Sequence, residues 1–272
     1  MSTHPVGMPR PADSELKACC VQAYSGDVVS LLLGESYHPG GFGLTRQLAD
    51  QLTLRPGGRV LDVACGPGAT ARLLATEYDV SVDGIDLAPA VLARARADAA
   101  TAGLADRVRF HEGDSDALPF PADTFDVVIC ECALCLFPDK QSAAAEFARV
   151  LRPGGRIGLT DVIIAESGLP PELTDLTAYI SCIADARPAD GYIGLLTTAG
   201  LRVSTVRNHD HAVTAMLDHI EARIKLLRIT APDTLRANGL DRALAARYLN
   251  AARQAVADGS LGYTLMVAEK PR

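Results

Sequence analysis

Arg59-Val60-Leu61-Asp62-Val63-Ala64-Cys65-Gly66-Pro67-Gly68-Ala69-Thr70 carries the densest chemistry in the chain: an apolar run ends in an acid, passes two glycines and enters a helical pattern. Gly66 and Gly68 have no Cβ, so the backbone can turn sharply there and come close to a ligand. Asp62, inside the strand end, can accept from an ammonium or hold the loop. A second short strand, Ser81–Leu87, brings Asp86 to its end, 24 residues beyond Asp62. That interval is close to the one at which a carboxylate meets a ribose diol in dinucleotide folds. The third, helix-packing glycine of the dinucleotide pattern is missing, so the loop does not read as a pyrophosphate cradle.

Three more segments follow in order: Val108-Arg109-Phe110-His111-Glu112-Gly113-Asp114-Ser115, Phe125-Asp126-Val127-Val128-Ile129-Cys130, and Val150-Leu151-Arg152-Pro153-Gly154-Gly155-Arg156-Ile157-Gly158-Leu159. Together the five resemble the class I S-adenosylmethionine (SAM)-dependent methyltransferases. The resemblance implies an α/β fold, a seven-stranded Rossmann-like sheet with N-terminal helices and a helical cap, and SAM as cofactor. It assigns Asp62, Ala64, Gly66 and Gly68 to the SAM loop, Asp86 and Leu87 to the ribose end, and Asp114 and Ser115 to the adenine. Glu131 would orient the ammonium or the acceptor. Tyr24-Ser25-Gly26 resembles the aromatic motif with which the N-terminal helix closes over the methionyl group. Thr45, and His38 in its turn, would contact the SAM carboxylate.

Strands are predicted near 58–64, 80–85, 107–111, 126–131 and 156–163, alternating with helices near 69–77, 88–102 and 141–151, which implies a parallel, doubly wound sheet with ligands at the carboxyl ends of its strands. Helical patterns over Asp13–Leu33 and Gly43–Gln51 precede the first strand and should lie across the pocket mouth. Leu201–Arg207 reads as a sixth strand and Tyr263–Glu269 as the last, antiparallel in the family and placed between the fifth and sixth. The chain therefore divides into an N-terminal helical segment (1–50), a SAM-binding core (51–208), a helical insertion (209–260) and a final core strand (261–272). In the insertion, Val213, Met216, Leu217, Ile220, Ile224 and Leu227 recur at helical spacing, as in a packed lid helix.

At 272 residues and 48% hydrophobic, the chain can bury one sizeable core. A net charge of −7 and a pI near 5.4 argue against a nucleic-acid partner, since no basic stripe is present to neutralise phosphates. No apolar run approaches the ~20 residues of a membrane span, and Met1–Pro11 lacks a signal-type apolar segment, so a cytoplasmic protein with reduced thiols is expected. Of its seven cysteines, Cys65 and Cys130 fall at strand positions and suit packing. Cys132-Ala133-Leu134-Cys135 is the one C-x-x-C tetrad, which is thin support for structural zinc.

Glu131-Cys132-Ala133-Leu134-Cys135-Leu136-Phe137-Pro138-Asp139-Lys140 leaves the fourth strand above the expected sulfonium. Its cysteine, apolar run and Pro-Asp-Lys resemble the arsenite methyltransferases, as does Ser181-Cys182-Ile183-Ala184-Asp185-Ala186. That resemblance implies a small-molecule or metalloid substrate, trivalent arsenic bound by the thiols of Cys132 and Cys182, with Cys135, Cys19 or Cys20 as a third, and a thiol reductant as partner. Soft thiolates suit such an ion, and methyl transfer to its lone pair needs positioning more than a base. The chain departs from that family at His38-Pro39-Gly40-Gly41, where a further cysteine is usual. Two other readings stay open: O-, N- or C-methylation of a small apolar metabolite with His209 or His211 as base, and a SAM- or soft-metal-binding module without catalysis. His111 reads as structural.

Overall fold

The computed structural model describes residues 13–170, 173, 183, 185–231, 233 and 242–272. Strands β1 (Arg59–Val63), β2 (Ser81–Asp86), β3 (Val108–Glu112), β4 (Phe125–Glu131) and β5 (Leu151–Ile164) pair in parallel, and β7 (Leu261–Glu269) runs antiparallel between β5 and β6 (Arg202–Asn208). The sheet order is β3-β2-β1-β4-β5-β7-β6. This is the mixed seven-stranded sheet of the class I methyltransferase fold. The central strands are buried on both faces, which is why β1 and β4 are almost uninterrupted apolar runs rather than alternating ones.

Alternate residues of each strand serve two cores. Val60, Val82, Val127 and Ile129 pack under α3 (Gly41–Leu52), α4 (Ala69–Glu77) and α5 (Pro89–Thr101). Leu61, Val63, Val128 and Cys130 pack under α6 (Lys140–Val150) and α7 (Ala189–Thr198) on the opposite face. α8 (Asp210–Thr230) and α9 (Arg242–Ala257) lie against each other and against β7. Arg253 on α9 bridges Asp218 and Glu221 at 2.8 and 2.6 Å. Of the stripe on α8, Val213 is buried and Met216, Leu217, Ile220, Ile224 and Leu227 are half-buried, while Leu226 and Ile229, off the stripe, are 58% and 83% exposed.

Two elements differ from the sequence expectation. The helical run over Asp13–Leu33 is two helices, α1 (Asp13–Tyr24) and α2 (Asp27–Leu33), because Gly26 adopts extended backbone (φ −74°, ψ 142°) and restarts the helix. Arg223 of α8 donates to the Leu31 carbonyl at 3.0 Å and ties α2 to the cap. The fifth strand begins at Leu151 instead of near 156: Leu151 pairs with Phe125 and Arg156 with Val127, so the Pro153-Gly154-Gly155 stretch is absorbed as a register shift. Among the described residues no helix is long and apolar enough to cross a membrane.

Candidate active site

The carboxyl ends of β1, β2, β3 and β4 surround one cavity, roofed by α1 and by the segment that leaves β4. After β1 the chain turns through positive φ at Ala64 (56°), Gly66 (52°) and Gly68 (71°) before α4 begins. The glycines have different duties. Gly66 borders the cavity, with Tyr37 Cδ2 3.9 Å from where its Cβ would stand. Gly68 does not line it: a Cβ there would meet Phe110 Cζ at 2.4 Å, so this position serves the close approach of β3 to the loop. The expectation that Gly68 faces the ligand is corrected accordingly.

Asp62 is 3% exposed, and its Oδ2 has no hydrogen-bond partner among the described residues. Burial, then the charges of Glu131 and Asp86, push its carboxyl well above the usual range. A buried oxygen left unpaired at a cavity wall is costly, and a ligand ammonium would satisfy it. Asp86 is oriented by two loops: Gly66 N–H, after β1, donates to Oδ2 and Ala88 N–H, after β2, to Oδ1, both at 2.9 Å. Burial raises its pKa while those backbone donors oppose the rise. Leu87 and Ala64 line the same wall.

Asp114 and Ser115 follow β3 and line the cavity. Lys17 on α1 reaches down to Asp114 at 2.6 Å and Asp116 at 2.5 Å, which the sequence did not suggest. Glu131, at the end of β4, accepts from Thr70 at 2.7 Å and from Thr45 at 3.1 Å, with His38 Nε2 3.4 Å away. Thr45 is thus fully buried behind Glu131 rather than in the wall, and acts on the cavity only through that carboxylate. His38 and Thr70 both line it. A helical spacing would have linked neither to Glu131, since the contacts join segments 61 to 93 residues apart in sequence. Tyr24 lines the cavity from α1.

The cysteines separate. Cys132 (φ 55°) and Cys20 line the cavity. Cys19 is exposed on the same helix and outside it. Cys135 is a clear correction: it is fully buried behind the cavity, its backbone N–H donating to Asp161 Oδ2 at 3.0 Å, because the one-turn helix Leu134–Leu136 directs it into the sheet. Cys65 is buried at the cavity's edge and Cys130 is packed in the sheet, and burial raises both thiols well above their ordinary value. Cys182 lies outside the described residues. Among those described, no group of three His, Cys, Asp or Glu side chains suits a metal ion.

His209 is also repositioned. It follows β6, 8% exposed, with neither ring nitrogen hydrogen-bonded among the described residues. Burial, then His211 and Arg207, lower its pKa. Three strand steps separate β6 from β4, about 14 Å at ~4.8 Å each, too far for direct proton transfer at an atom beside Glu131. His211 is exposed next to it. His111 meets Asp83 at 2.8 Å and stacks edge-on against Phe120.

Residues 60–155 match the model of a methyltransferase domain family. The 27-O-demethylrifamycin SV methyltransferase of Amycolatopsis mediterranei (strain S699) is 32% identical over 259 residues, 90% of this chain and 93% of that protein. An arsenite methyltransferase of Halobacterium salinarum is 31% identical over 167 residues, 61% of this chain but 42% of that protein. The crystal structure of geranyl diphosphate C-methyltransferase from Streptomyces coelicolor, in complex with Mg2+, geranyl diphosphate and S-adenosyl-L-homocysteine, superposes with a TM-score of 0.74 at 16% identity. It covers 96% of this chain and all of that one, a likeness of fold.

Proposed function

The chain belongs to the class I SAM-dependent methyltransferases, and we propose that it transfers the methyl group to an oxygen of a small, largely apolar metabolite. The observation that carries this reading is the wall beside the methyl position. Val21, Leu136, Phe137 and Pro138 make it hydrocarbon, with the thiols of Cys20 and Cys132 set among them. The relative aligned along nearly its whole length is named for O-methyl chemistry.

Bound SAM supplies a methyl on a cationic sulfonium that loses its charge on transfer. Asp62 would accept from the ammonium, Asp86 from the ribose hydroxyls and Asp114 from the adenine amino group. Glu131, fixed by Thr45 and Thr70, would orient the ammonium or the acceptor. The hydrocarbon wall excludes water and lowers the local dielectric without taking up a proton. It therefore suits an acceptor oxygen that is already ionised at neutral pH, such as a carboxylate or an acidic enol or phenol, and the protein's share of the rate is alignment.

A second reading, methylation of trivalent arsenic, keeps one specific support: Cys20 and Cys132 share the cavity. Production of S-adenosylhomocysteine by purified reduced protein, measured across a panel of phenols, enols, apolar acids and arsenite, separates the two. Oxygen transfer predicts turnover with one of the organic acceptors, and Cys132→Ser within about threefold of the parent. Turnover with arsenite alone, abolished by Cys132→Ser, overturns it.

A further inference from the structure

The segment Ala133–Pro138, which carries Leu136 and Phe137 into the cavity wall, is a single tight turn with Leu134 and Cys135 buried in the core beneath it. Its internal bonds are Leu136 N–H to the Ala133 carbonyl at 2.9 Å and Phe137 N–H to the Leu134 carbonyl at 3.2 Å. Two buried charges grip it from opposite ends. Beneath it, Asp161 of β5, 0% exposed, accepts from the Cys135 N–H at 3.0 Å and from the Val162 N–H at 2.8 Å. At its exit, the Lys140 ammonium, on a side chain 1% exposed, donates to the Phe137 carbonyl at 2.9 Å and pairs with Asp185 in the connection that follows β5. The turn's N–H end is thus on a carboxylate and its C=O end on an ammonium.

Helix stability does not account for the lysine. It is the first residue of α6, whose amino-terminal turn favours anions, and the capping is done by Asp139, which accepts from the Ser142 N–H at 2.9 Å. Global stability does not account for the pair either, since buried charges can be replaced by well-packed apolar groups with little or no loss. What both share is the turn between them. Neither residue lines the cavity, whereas Ala133, Leu136, Phe137 and Pro138 of the turn do.

We propose that Asp161 and Lys140 are positioning residues that clamp this turn and so set the acceptor wall opposite the methyl group, leaving SAM to be held by other loops. The inference rests on the cavity being the SAM site and is independent of which acceptor is used. Hydrogen exchange of the peptide spanning 132–138, read by mass spectrometry on the full chain, tests it beside calorimetric titration with S-adenosylhomocysteine. The expected result is at least about tenfold faster exchange in that peptide for Asp161→Asn and for Lys140→Met. S-adenosylhomocysteine affinity should stay within about twofold, and Lys140→Arg, which retains a cation able to reach the Phe137 carbonyl, should restore the parent rate. Should Asp161→Asn not fold, the lysine pair of variants carries the test. Unchanged exchange in both Asp161→Asn and Lys140→Met overturns the clamp, as does exchange that rises equally in the β1 and β4 peptides. Failure of the parent to bind S-adenosylhomocysteine would instead count against the SAM site itself.

Discussion

At the nucleoside end of the cavity, Asp62, Asp86 and Asp114 stand at or just beyond the ends of three adjacent strands; Asp86 takes backbone donors from Gly66 and Ala88, and Asp114 takes one from Asp116 beside its ion pair with Lys17. At the acceptor end the parts come from α1, the turn after β4, the middle of β5 and the start of α6, and they are fixed by contacts across the chain. The first end rests mainly on backbone donors of the strand-end loops, with Lys17 its one long-range side-chain partner, so it tolerates much change elsewhere in the molecule. The second depends on the packing of remote segments, which allows acceptor preference to vary without disturbing the donor site.

The strongest way to break this contrast is at Asp62. Asp62→Asn removes a buried, partly unpaired carboxylate, so SAM affinity should fall by about 100-fold, on the order of the loss of one charge-assisted contact. The ligand-free protein should meanwhile melt about 2–4 °C higher. Calorimetry and thermal melts with and without S-adenosylhomocysteine read both, and a melting point that falls along with affinity would contradict the assignment.

Next come the two glycines. Gly68→Ala meets Phe110 and requires φ 71°, so it should cost roughly 2 kcal/mol or more in chemical denaturation. Gly66→Ala has room for its Cβ and should lose less stability, with its effect concentrated in SAM affinity. Equal losses of stability would erase the distinction between packing glycine and ligand-loop glycine.

The smallest effect sharpens the acceptor side. Burial lifts Asp161 to about 6, against hydrogen bonds from Cys135 and Val162 and the nearby Lys140 charge. The other titratable groups that feel it are Cys130 on β4, Tyr192 on α7 and Tyr263 on β7. Because the folded value lies above the unfolded one of about 3.9, this group's contribution to stability is full below pH ~4 and is lost as pH rises through about 6. The turn responds with the opposite sign, since protonation removes the anion from the Cys135 N–H. Exchange of the 132–138 peptide, corrected for its intrinsic rate, should therefore increase severalfold as pH drops past 6. A profile that is flat in the parent, or unchanged in Asp161→Asn, would exclude Asp161 as its origin.

How much of this was legible beforehand follows the same division. The strand positions and the acids at or just beyond the ends of β1, β2 and β3 lie in short contiguous motifs, and short-range patterns report them directly. Lys17, Thr70 and Lys140 gave no such signal, because their partners are 45 to 99 residues distant in sequence. His38 was legible only as a turn residue. Asp161 was the one missed position with a visible mark: an acid inside the apolar run Gly158-Leu159-Thr160-Asp161-Val162-Ile163-Ile164 must be buried, and a buried acid needs donors. Cys135 misled because its spacing from Cys132 suggested a shared task, whereas the positive φ at Cys132 and the tight turn after it send the two side chains apart.

The antiparallel β7 carries a consequence for how the chain is made. The last of this sheet's seven strands in chain order occupies an interior position, pairing with nine residues of β5 on one side and with β6 on the other. Until it arrives, both neighbours present open edges, which are templates for pairing with another molecule. A ribosome that stalls before residue 261 would release a chain whose donor-site motif is entire but whose sheet is split, and aggregation of such fragments would track the missing strand and not any defect near Asp62.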